Sequence, residues 1–308
     1  INDDNDEKIP NVIHFLNYNP NLQTPRYICS IESALSHNPD HEIYVYTPAP
    51  QNFSDEISAW RMSYPETFKK VHIQEINYDK FFENTPLQIW YEEKKHLKSW
   101  WVEQNLGNAL RLAVIWKFGG TYLDLDIISV NSLKTISNGK KEPLKRFIAR
   151  EETEQLNNAA LRFPKNDPFV WVLMENFVEK WDGWTWANNG PFCVSRTYKA
   201  KCYESLSSKE KSEPLNKYCI DLMILNTKRF YPIHFRETKK MTEEYTNNCE
   251  LLSNITNESF GVHWWHKGFE KDEKKKINKS KNSLLGKLFE IQCPNVVETF
   301  GWEKLNFE

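Results

Sequence analysis

The clearest hydrophobic pattern in the chain lies between residues 106 and 133. Apolar residues first recur at helical spacing, and the positions are Leu106, Leu110, Ala113, Val114 and Phe118. Gly119-Gly120 follows and offers the left-handed conformation in which helices commonly end. Polar and apolar side chains then alternate, with Tyr122, Asp124 and Asp126 on one side of the chain. The pattern predicts a helix, a tight glycine stop and a strand that carries two carboxylates on one face.

The residues before this stretch alternate between strand-like and helix-like patterns. Strands are predicted at 10–16, 42–47 and 71–76, and helices at 25–36 and at 54–62, the latter beginning at the N-cap Ser54. Such alternation predicts a parallel α/β sheet that binds ligands at the carboxyl ends of its strands. The first predicted strand is followed by no Gly-x-Gly-x-x-Gly, and the chain has no Gly-Lys-Ser/Thr loop. These absences argue against a dehydrogenase and a P-loop NTPase.

The later residues continue with weaker signals. A short strand is predicted at 147–149 and a helix at 168–181, whereas 131–144 is polar and turn-rich. Residues 203–217 are charged and predict a solvated excursion, and 3–8 predict a mobile lead-in. Lysines crowd residues 267–287 but are interleaved with Glu and Asp, which favours a solvated surface over a membrane or nucleic-acid patch.

Composition narrows the class of protein. With 308 residues, 40% of them hydrophobic, the chain can bury a large core as one extended domain or two small ones. Its 40 basic and 42 acidic residues leave a net charge of −2, which removes any global electrostatic argument for nucleic-acid binding. No stretch reaches the 18 or so apolar residues that a membrane span needs.

Cysteines and glycosylation sequons point to an oxidising secretory compartment. The six cysteines lack Cys-x-x-Cys spacing, so structural zinc is not expected, and up to three disulfides are possible with the pairing left open. The acceptor asparagines of the sequons are Asn52, Asn254, Asn257 and Asn278. We therefore expect a glycoprotein with disulfide bonds.

The two aspartates are the strongest candidates for chemistry. On one strand face their Cα atoms would lie about 6 to 7 Å apart, close enough to converge on one divalent ion, or on an ion and a neighbouring hydroxyl. Asp124 and Asp126 could instead line the wet face of an edge strand. Asp is disfavoured in strands, however, and these two sit between apolar residues beside a glycine turn. That context favours the functional interpretation.

The helix, Gly-Gly and Tyr-Leu-Asp-x-Asp run resembles the Asp-x-Asp glycosyltransferases, and more closely the α1,4-galactosyltransferase and α1,4-N-acetylglucosaminyltransferase family. Local matches extend the resemblance over about residues 11 to 295, and they are Cys29-Ser-Ile-Glu-Ser-Ala34, Thr85-Pro-Leu-Gln-Ile-Trp-Tyr91, the Gly-Trp-x-Trp to Gly-Pro segment at 181–191, Phe230-Tyr-Pro-Ile233 and Val262-His-Trp-Trp-His-Lys267. The last run lies within Ser259–Lys267 and resembles the family's Ala-Val-His-x-Trp-Asn-Lys.

The resemblance implies a glycosyltransferase A-type, Rossmann-like α/β fold with a central, mostly parallel sheet flanked by helices. After a lead-in at 1–10 it implies a single catalytic domain at 11–308. Residues 11–133 would form the nucleotide-sugar-binding half, and 134–308 the acceptor-binding half with a C-terminal metal and diphosphate motif.

The resemblance also implies a metal site. It assigns Asp124, Asp126 and His263 to the metal, with Asp124 shared with the donor, and it places Lys267 within reach of the diphosphate. A set of carboxylate oxygens and an imidazole nitrogen suits Mn²⁺ better than Ca²⁺ or Mg²⁺, which prefer oxygen ligands. Read without the family, His263 could be a structural histidine and Lys267 a surface lysine.

Further residues are assigned to the sugars. Arg111, Tyr122, Asn108 and Asn158 would contact the UDP-sugar donor, although a surface salt bridge is the alternative for Arg111. Asn108 stands where many family members carry Asp, and Asn keeps the acceptor oxygen but loses the charge that would orient Arg111. Asn189 is expected to guide the reaction by hydrogen bonding, since an amide is a poor nucleophile.

Three tryptophans complete the candidate site. Trp181, Trp184 and Trp186 either belong to the core or form the wall of an acceptor-sugar groove, and the family match favours the groove.

The implied activity is a retaining, Mn²⁺-dependent transfer of galactose or an N-acetylhexosamine, from UDP-galactose or a UDP-N-acetylhexosamine, to a glycosphingolipid or glycan terminus through an α1,4 linkage. The implied setting is the Golgi lumen, behind the N-terminal anchor of a type II membrane protein. Two alternatives remain, a toxin-like glucosyltransferase that modifies protein and an inactive sugar-binding module on the same fold.

Overall fold

A computed structural model of the chain describes residues 8–18, 25–137, 140–203, 218–266 and 281–305. Residues group into two compact units, each assembled from three separate segments. Unit 1 contains Ile1–Tyr18, Ile76–Leu123 and Leu144–Leu225, and unit 2 contains Asn19–Glu75, Asp124–Pro143 and Asn226–Glu308. Each unit is therefore discontinuous in sequence.

The strands are short, as is usual for α/β proteins. In chain order they are β1 Val12–Leu16, β2 Glu42–Thr47, β3 Val71–Glu75, β4 Gly120–Leu123, β5 Ile127–Ser129, β6 Lys134–Ser137, β7 Lys140–Pro143, β8 Phe147–Glu152, β9 Gln155–Phe163, β10 Met223–Leu225 and β11 Gly261–His263.

The helices vary from one turn to almost five. They are α1 Arg26–His37, α2 Pro50–Glu56, α3 Ser58–Ser63, α4 Pro65–Phe68, α5 Tyr78–Phe82, α6 Leu87–Glu92, α7 Val102–Phe118, α8 Pro168–Glu179, α9 Pro191–Tyr198, α10 Lys239–Thr242, α11 Cys249–Glu258, α12 Leu284–Gln292 and α13 Pro294–Lys304, which is kinked at Gly301. Short 3₁₀ turns lie at Lys95–Leu97, Thr227–Arg229, Phe235–Glu237 and Tyr245–Asn247, and a π-helical turn at Lys199–Tyr203. None of the described helices is long and apolar enough to cross a membrane.

In unit 1 five strands lie side by side in the order β10-β8-β9-β4-β1. The pairs β1/β4 and β10/β8 are parallel, and β9 runs antiparallel to both of its neighbours. In unit 2, β2 pairs with β3 in parallel, while β5 pairs with β11 and β6 with β7 in antiparallel. Four of the five strands of unit 1 therefore run in the same direction, and this mostly parallel arrangement with flanking helices confirms the predicted α/β class.

Most predicted elements of the first 120 residues are confirmed. The strands at 10–16, 42–47 and 71–76 correspond to β1, β2 and β3, and the helix at 25–36 corresponds to α1. The single helix predicted at 54–62 was wrong, because two short helices meet at Ile57 and the first begins at Pro50, where proline's fixed φ suits the first turn. Strand β9 and the β6/β7 hairpin within the polar stretch 131–144 were not predicted.

Helix α7 and its glycine stop follow the predicted pattern. Gly119 has φ +66°, and a Cβ at this position would lie 2.6 Å from the backbone nitrogen of Lys165. Glycine is therefore required here both for its conformation and for the close approach of the chain. His14 of β1 fixes the same turn, since its Nε2 lies 2.8 Å from the carbonyl oxygen of Gly119.

Two disulfides resolve part of the cysteine pairing that the sequence left open. They join Cys29 to Cys293 in unit 2 and Cys202 to Cys219 in unit 1, while Cys193 and Cys249 are unpaired. Asn52, Asn254 and Asn257 of the sequons are exposed. The charged lead-in, most of the excursion at 203–217, the lysines of 267–280 and Asn278 lie outside the described residues.

Candidate functional site

Asp124 and Asp126 lie in a turn that follows β4. The prediction that they share one face of a continuous strand was wrong, because β4 ends at Leu123 and β5 begins only at Ile127. The amide of Ile127 donates to the carbonyl of Asp124 at 3.0 Å, which closes a turn over Leu125. Asp favours turns and is disfavoured in strands, so its intrinsic preference prevails over the alternating pattern. The turn brings the two carboxylates together.

Strand pairing brings His263 to the same turn. Strand β11 runs antiparallel to β5, and the register places His263 opposite Ile127, next to Asp126. Gly261 permits this pairing, since a Cβ there would approach Cγ2 of Ile127 to 2.8 Å. The imidazole thus meets the carboxylates although 137 positions separate it from Asp126 in the sequence.

The three side chains form a compact cluster. The His263 Nε2 lies 3.2 Å from Asp126 Oδ1 and 4.0 Å from Asp124 Oδ2. The His263 side chain is 7% exposed, and the carboxylates are 17% and 24% exposed. Burial raises the pKa of the Asp126 carboxyl and the neighbouring Asp124 raises it further, whereas His263 and the His266 amide lower it. The charged carboxylate is therefore destabilised by its surroundings unless more positive charge arrives.

The cluster fits a divalent cation. One donor atom from each of the three residues lies within 4.8 Å of the others. Atoms this close could all contact a single ion, so Asp124, Asp126 and His263 would each offer one ligand atom to it. A set of two carboxylates and one imidazole suits Mn²⁺, and a bound cation would offset the destabilisation of Asp126.

Helix α1 holds the aspartate turn from behind. The Ser30 hydroxyl donates to the carbonyl of Leu125 at 2.7 Å, and the Ser33 hydroxyl accepts the amide of Ser129 at 3.0 Å. Both serines are fully buried. The Cys-Ser-Ile-Glu-Ser-Ala run of α1 therefore positions the site without contributing a ligand.

A second group of predicted residues meets in unit 1 around Arg111. This side chain is only 5% exposed, so the surface salt bridge considered for it was wrong. Its guanidinium donates to the carbonyls of Gly107 at 3.2 Å and Asn158 at 2.9 Å, and it lies 4.8 Å from the centre of the Tyr122 ring. Carbonyl oxygens and an aromatic face thus hold the buried cation.

The amides of unit 1 pair with one another. Asn158 donates to Asn108 Oδ1 at 2.9 Å, so Asn108 accepts from an amide and not from Arg111 in this pair. Asn189 donates to Asn105 Oδ1 at 3.1 Å and to the carbonyl of Asp182 at 2.5 Å, and its own oxygen accepts the Asp182 amide at 3.2 Å. Asn189 therefore ties the segment 182–190 together, and its catalytic role stays a prediction.

The three tryptophans differ in environment. Trp181 packs against Trp90 with ring centroids 4.9 Å apart, in the manner of a core residue. Trp184 and Trp186 are 56% and 54% exposed, and each packs edge to face against a partner, Trp100 at 5.1 Å and Trp101 at 4.6 Å. Only the latter two present open aromatic surface of the kind that a sugar ring stacks on.

Lys267 lies outside the described residues, so its role at the diphosphate stays a prediction. The sequence reasoning missed Ser30 and Ser33, whose signal was their place inside the matched run of α1. It also missed Trp265 and His266, which follow His263 directly in the chain.

The chain matches two families. Residues 162–300 match the one described as "Alpha 1,4-glycosyltransferase conserved region". Residues 24–143 match the one described as "Glycosyltransferase sugar-binding region containing DXD motif", which includes the aspartate turn.

Individual relatives agree with the two matches. The chain is 30% identical to the lactosylceramide 4-alpha-galactosyltransferase of Mus musculus over 87% of its own length and 70% of that protein. It is 27% identical to the alpha-1,4-N-acetylglucosaminyltransferase of Homo sapiens over 92% of its length and 78% of that protein. Among solved structures, "PaToxG Glycosyltransferase" aligns with a TM-score of 0.45 and 18% identity over 69% of this chain and 83% of that one, a likeness too distant to bear on function.

Proposed function

Because the chain belongs to the α1,4-glycosyltransferase family that contains these relatives, we propose that it is a retaining α1,4-glycosyltransferase. The donor is a UDP-sugar that carries galactose or an N-acetylhexosamine, and the acceptor is a glycosphingolipid or glycan terminus. The observation that carries the proposal is the convergence of Asp124, Asp126 and His263 in unit 2. It supplies the ligands for a divalent cation, for which we propose Mn²⁺.

In unit 2, Asp126, His263 and Asp124 would hold the divalent cation, which would supply positive charge to stabilise the departing diphosphate. The turn and the β5/β11 pairing fix these side chains before substrate arrives, so little reorganisation is needed at the moment of reaction. Partial burial strengthens the same electrostatic interactions, because less water screens them.

In unit 1, two carbonyls and the Tyr122 ring hold the Arg111 guanidinium in one orientation. A cation fixed in this way suits contact with a phosphate or sugar oxygen of the donor. Asn108 and Asn158 offer neutral amide hydrogen bonding, which suits hydroxyl or acetamido groups of a sugar. We propose that this group reads the donor.

Retention of the α configuration follows, in our proposal, from attack on the same face that the diphosphate leaves. Asn189 and Asn158 are amides, and amides guide hydrogen bonds better than they attack carbon. The acceptor hydroxyl attacks the anomeric carbon directly as the bond to the diphosphate breaks, so no protein nucleophile is needed. The leaving diphosphate accepts the proton of that hydroxyl, so no separate general base is needed. NMR of the product tests this step, since a β linkage would exclude it.

We also propose that the protein works in the lumen of the Golgi. The two disulfides require an oxidising compartment to form, and three sequon asparagines are exposed for glycosylation. Treatment with a peptide N-glycosidase, followed by mass spectrometry of secreted protein, tests the modification.

One assay tests the activity. Purified protein is incubated with Mn²⁺ and each common UDP-sugar, and UDP release is measured with and without lactose-ended or GlcNAc-ended acceptors. We expect acceptor-dependent release with UDP-galactose or a UDP-N-acetylhexosamine, abolished by a chelator and restored by Mn²⁺.

Two matched variants sharpen the assay. Asp126→Asn keeps the shape of the side chain but removes the charge, and it should lower UDP release by roughly 100-fold or more, the effect of losing one charge-stabilising group. Asp221→Asn removes the same charge from an exposed pair with Lys145 and should leave the rate unchanged. Folded protein that binds Mn²⁺ but releases no UDP with any donor would instead support a sugar-binding module, and transfer only to protein acceptors would support the toxin-like alternative.

A further inference from the structure

The segment Trp264–His266, which follows His263 directly, binds Asp126 through two backbone amides. The amide of Trp264 donates to the backbone carbonyl of Asp126 at 2.9 Å. The amide of His266 donates to Asp126 Oδ2 at 3.0 Å. The other carboxylate oxygen, Oδ1, then faces His263 Nε2 at 3.2 Å. The carboxylate is thereby held in one orientation, with one oxygen on the backbone and one towards the imidazole.

The hydrogen bond from the His266 amide depends on an uncommon backbone conformation at Trp265. Trp265 has φ +57°, in the left-handed region that non-glycine residues rarely adopt. The turn that this conformation produces is what points the next amide, that of His266, at Asp126. A left-handed bulky residue persists only where its surroundings hold it, and such residues concentrate at functional sites.

Contacts of the Trp265 side chain hold the residue in this conformation. Its indole N–H donates to the carbonyl of Ile233 at 2.9 Å, and its ring lies 5.9 Å from that of Phe235 and 5.7 Å from that of Tyr231. The same ring lies only 4.0 Å, centroid to centroid, from the His263 imidazole. The indole is thus anchored on one side by the segment 231–235 and confines the imidazole on the other.

We propose that Trp265 is the positioning residue of the metal site. Its backbone directs an amide to Asp126, and its ring sets the orientation of the His263 imidazole. One residue therefore fixes two of the three side chains that hold the cation, although it donates no ligand atom itself. The inference rests on the proposed function, because it concerns the same cation.

Metal affinity gives a readout that is independent of catalysis. Isothermal titration of the wild-type protein with Mn²⁺ alone, without donor sugar, gives the reference Kd. Trp265→Ala removes the ring and its anchor, and we expect the Kd for Mn²⁺ to rise by about 10- to 100-fold, as it does when residues that orient metal ligands are lost. The electron paramagnetic resonance spectrum of bound Mn²⁺ should change as well, because the ligands are no longer held in one geometry.

Two further variants separate positioning from general stability. Trp302→Ala removes an indole of similar, intermediate exposure from α13 of the same unit and should leave the Kd for Mn²⁺ within about threefold of wild type. Trp265→Gly can adopt φ +57° without strain, so it keeps the backbone turn even if Trp265→Ala fails to fold. It should still bind Mn²⁺ about 10-fold more weakly, because the imidazole is no longer confined.

The outcomes distinguish the two proposals. Wild-type protein that does not bind Mn²⁺ would remove the metal site, and the positioning role with it. Wild-type binding together with unchanged affinity in folded Trp265→Ala or Trp265→Gly would overturn the positioning role alone. Equal weakening by Trp302→Ala would also overturn it, since the effect would then reflect loss of packing anywhere in the unit.

Discussion

His14 should make the stability of unit 1 depend on pH below neutrality. The imidazole is 2% exposed, and its Nε2 donates to the carbonyl of Gly119 at 2.8 Å. Burial lowers the pKa of His14 from 6.5 to about 4, and the hydrogen bond to Gly119 opposes this only in part. The folded protein therefore keeps His14 neutral at pH values at which the unfolded chain protonates it.

The magnitude follows from the two pKa values. The difference between 6.5 and about 4, at about 1.36 kcal/mol per pKa unit, corresponds to about 3 kcal/mol. Because the unfolded state binds the proton more readily, the free energy of unfolding falls as the pH drops through 6.5, and the loss is complete near pH 4. Above pH 6.5 both states are neutral and His14 contributes no pH dependence.

Urea denaturation followed by tryptophan fluorescence, at several pH values from 7.5 to 4, measures this loss. The matched variant is His14→Gln, whose amide can donate to the same carbonyl but does not titrate. Between pH 7 and pH 4 the wild type should lose about 3 kcal/mol more than the variant, whereas the loss shared by both reports on carboxylates elsewhere. Parallel curves for the two proteins over this range would refute the reasoning.

Three other substitutions test the fold and the acceptor surface. Asp167→Ala should destabilise unit 1 by about 3–5 kcal/mol in thermal or urea unfolding, because the buried Asp167 caps α8 and pairs with the partly buried Arg146, 2.9 Å away; Asp167→Asn, which can still cap the helix, should cost less. Replacing Cys29 and Cys293 together by Ser should lower the free energy of unfolding of unit 2 by about 2–5 kcal/mol, and an unchanged Tm would contradict this. Trp184→Ala should raise KM for the acceptor and leave KM for the donor and the Tm almost unchanged, since the side chain is 56% exposed; a lower affinity for donor alone would count against the groove.

Local patterns in the sequence predicted the helices and strands around the site better than they predicted the geometry of the site itself. The periodicity of α7 and the glycine after it were sufficient to locate the end of the helix, because both signals are local. The same alternating pattern extended a strand through Asp126, where the chain makes a turn. Alternation was misleading there because it records which residues are apolar and not which hydrogen bonds the backbone makes.

The features of the site that local patterns did not predict depend on contacts between segments far apart in the sequence. Nothing within the sequence of β11 specifies that it pairs with β5, so the meeting of His263 with Asp126 came only from resemblance to a family. The burial of Arg111 was missed for a related reason. Its neighbours in the helix are apolar, but the carbonyl of Asn158 that accepts its hydrogen bond comes from a strand 47 residues later.

The pairing of Cys29 with Cys293 bears on the order of events during synthesis. The two cysteines are 264 residues apart, so Cys29 remains unpaired with its native partner until synthesis has passed residue 293. The bond between Cys202 and Cys219, only 17 residues apart, can form far earlier. The carboxylate of Glu32, one helical turn after Cys29, accepts hydrogen bonds from the amides of Asn295 and Val296 at the start of α13. These bonds, too, can form only after that segment has been made. A chain that stops short of residue 293 would therefore lack both the disulfide partner of Cys29 and the two amides that bind Glu32, so α1 would lose two connections to the end of the fold at once.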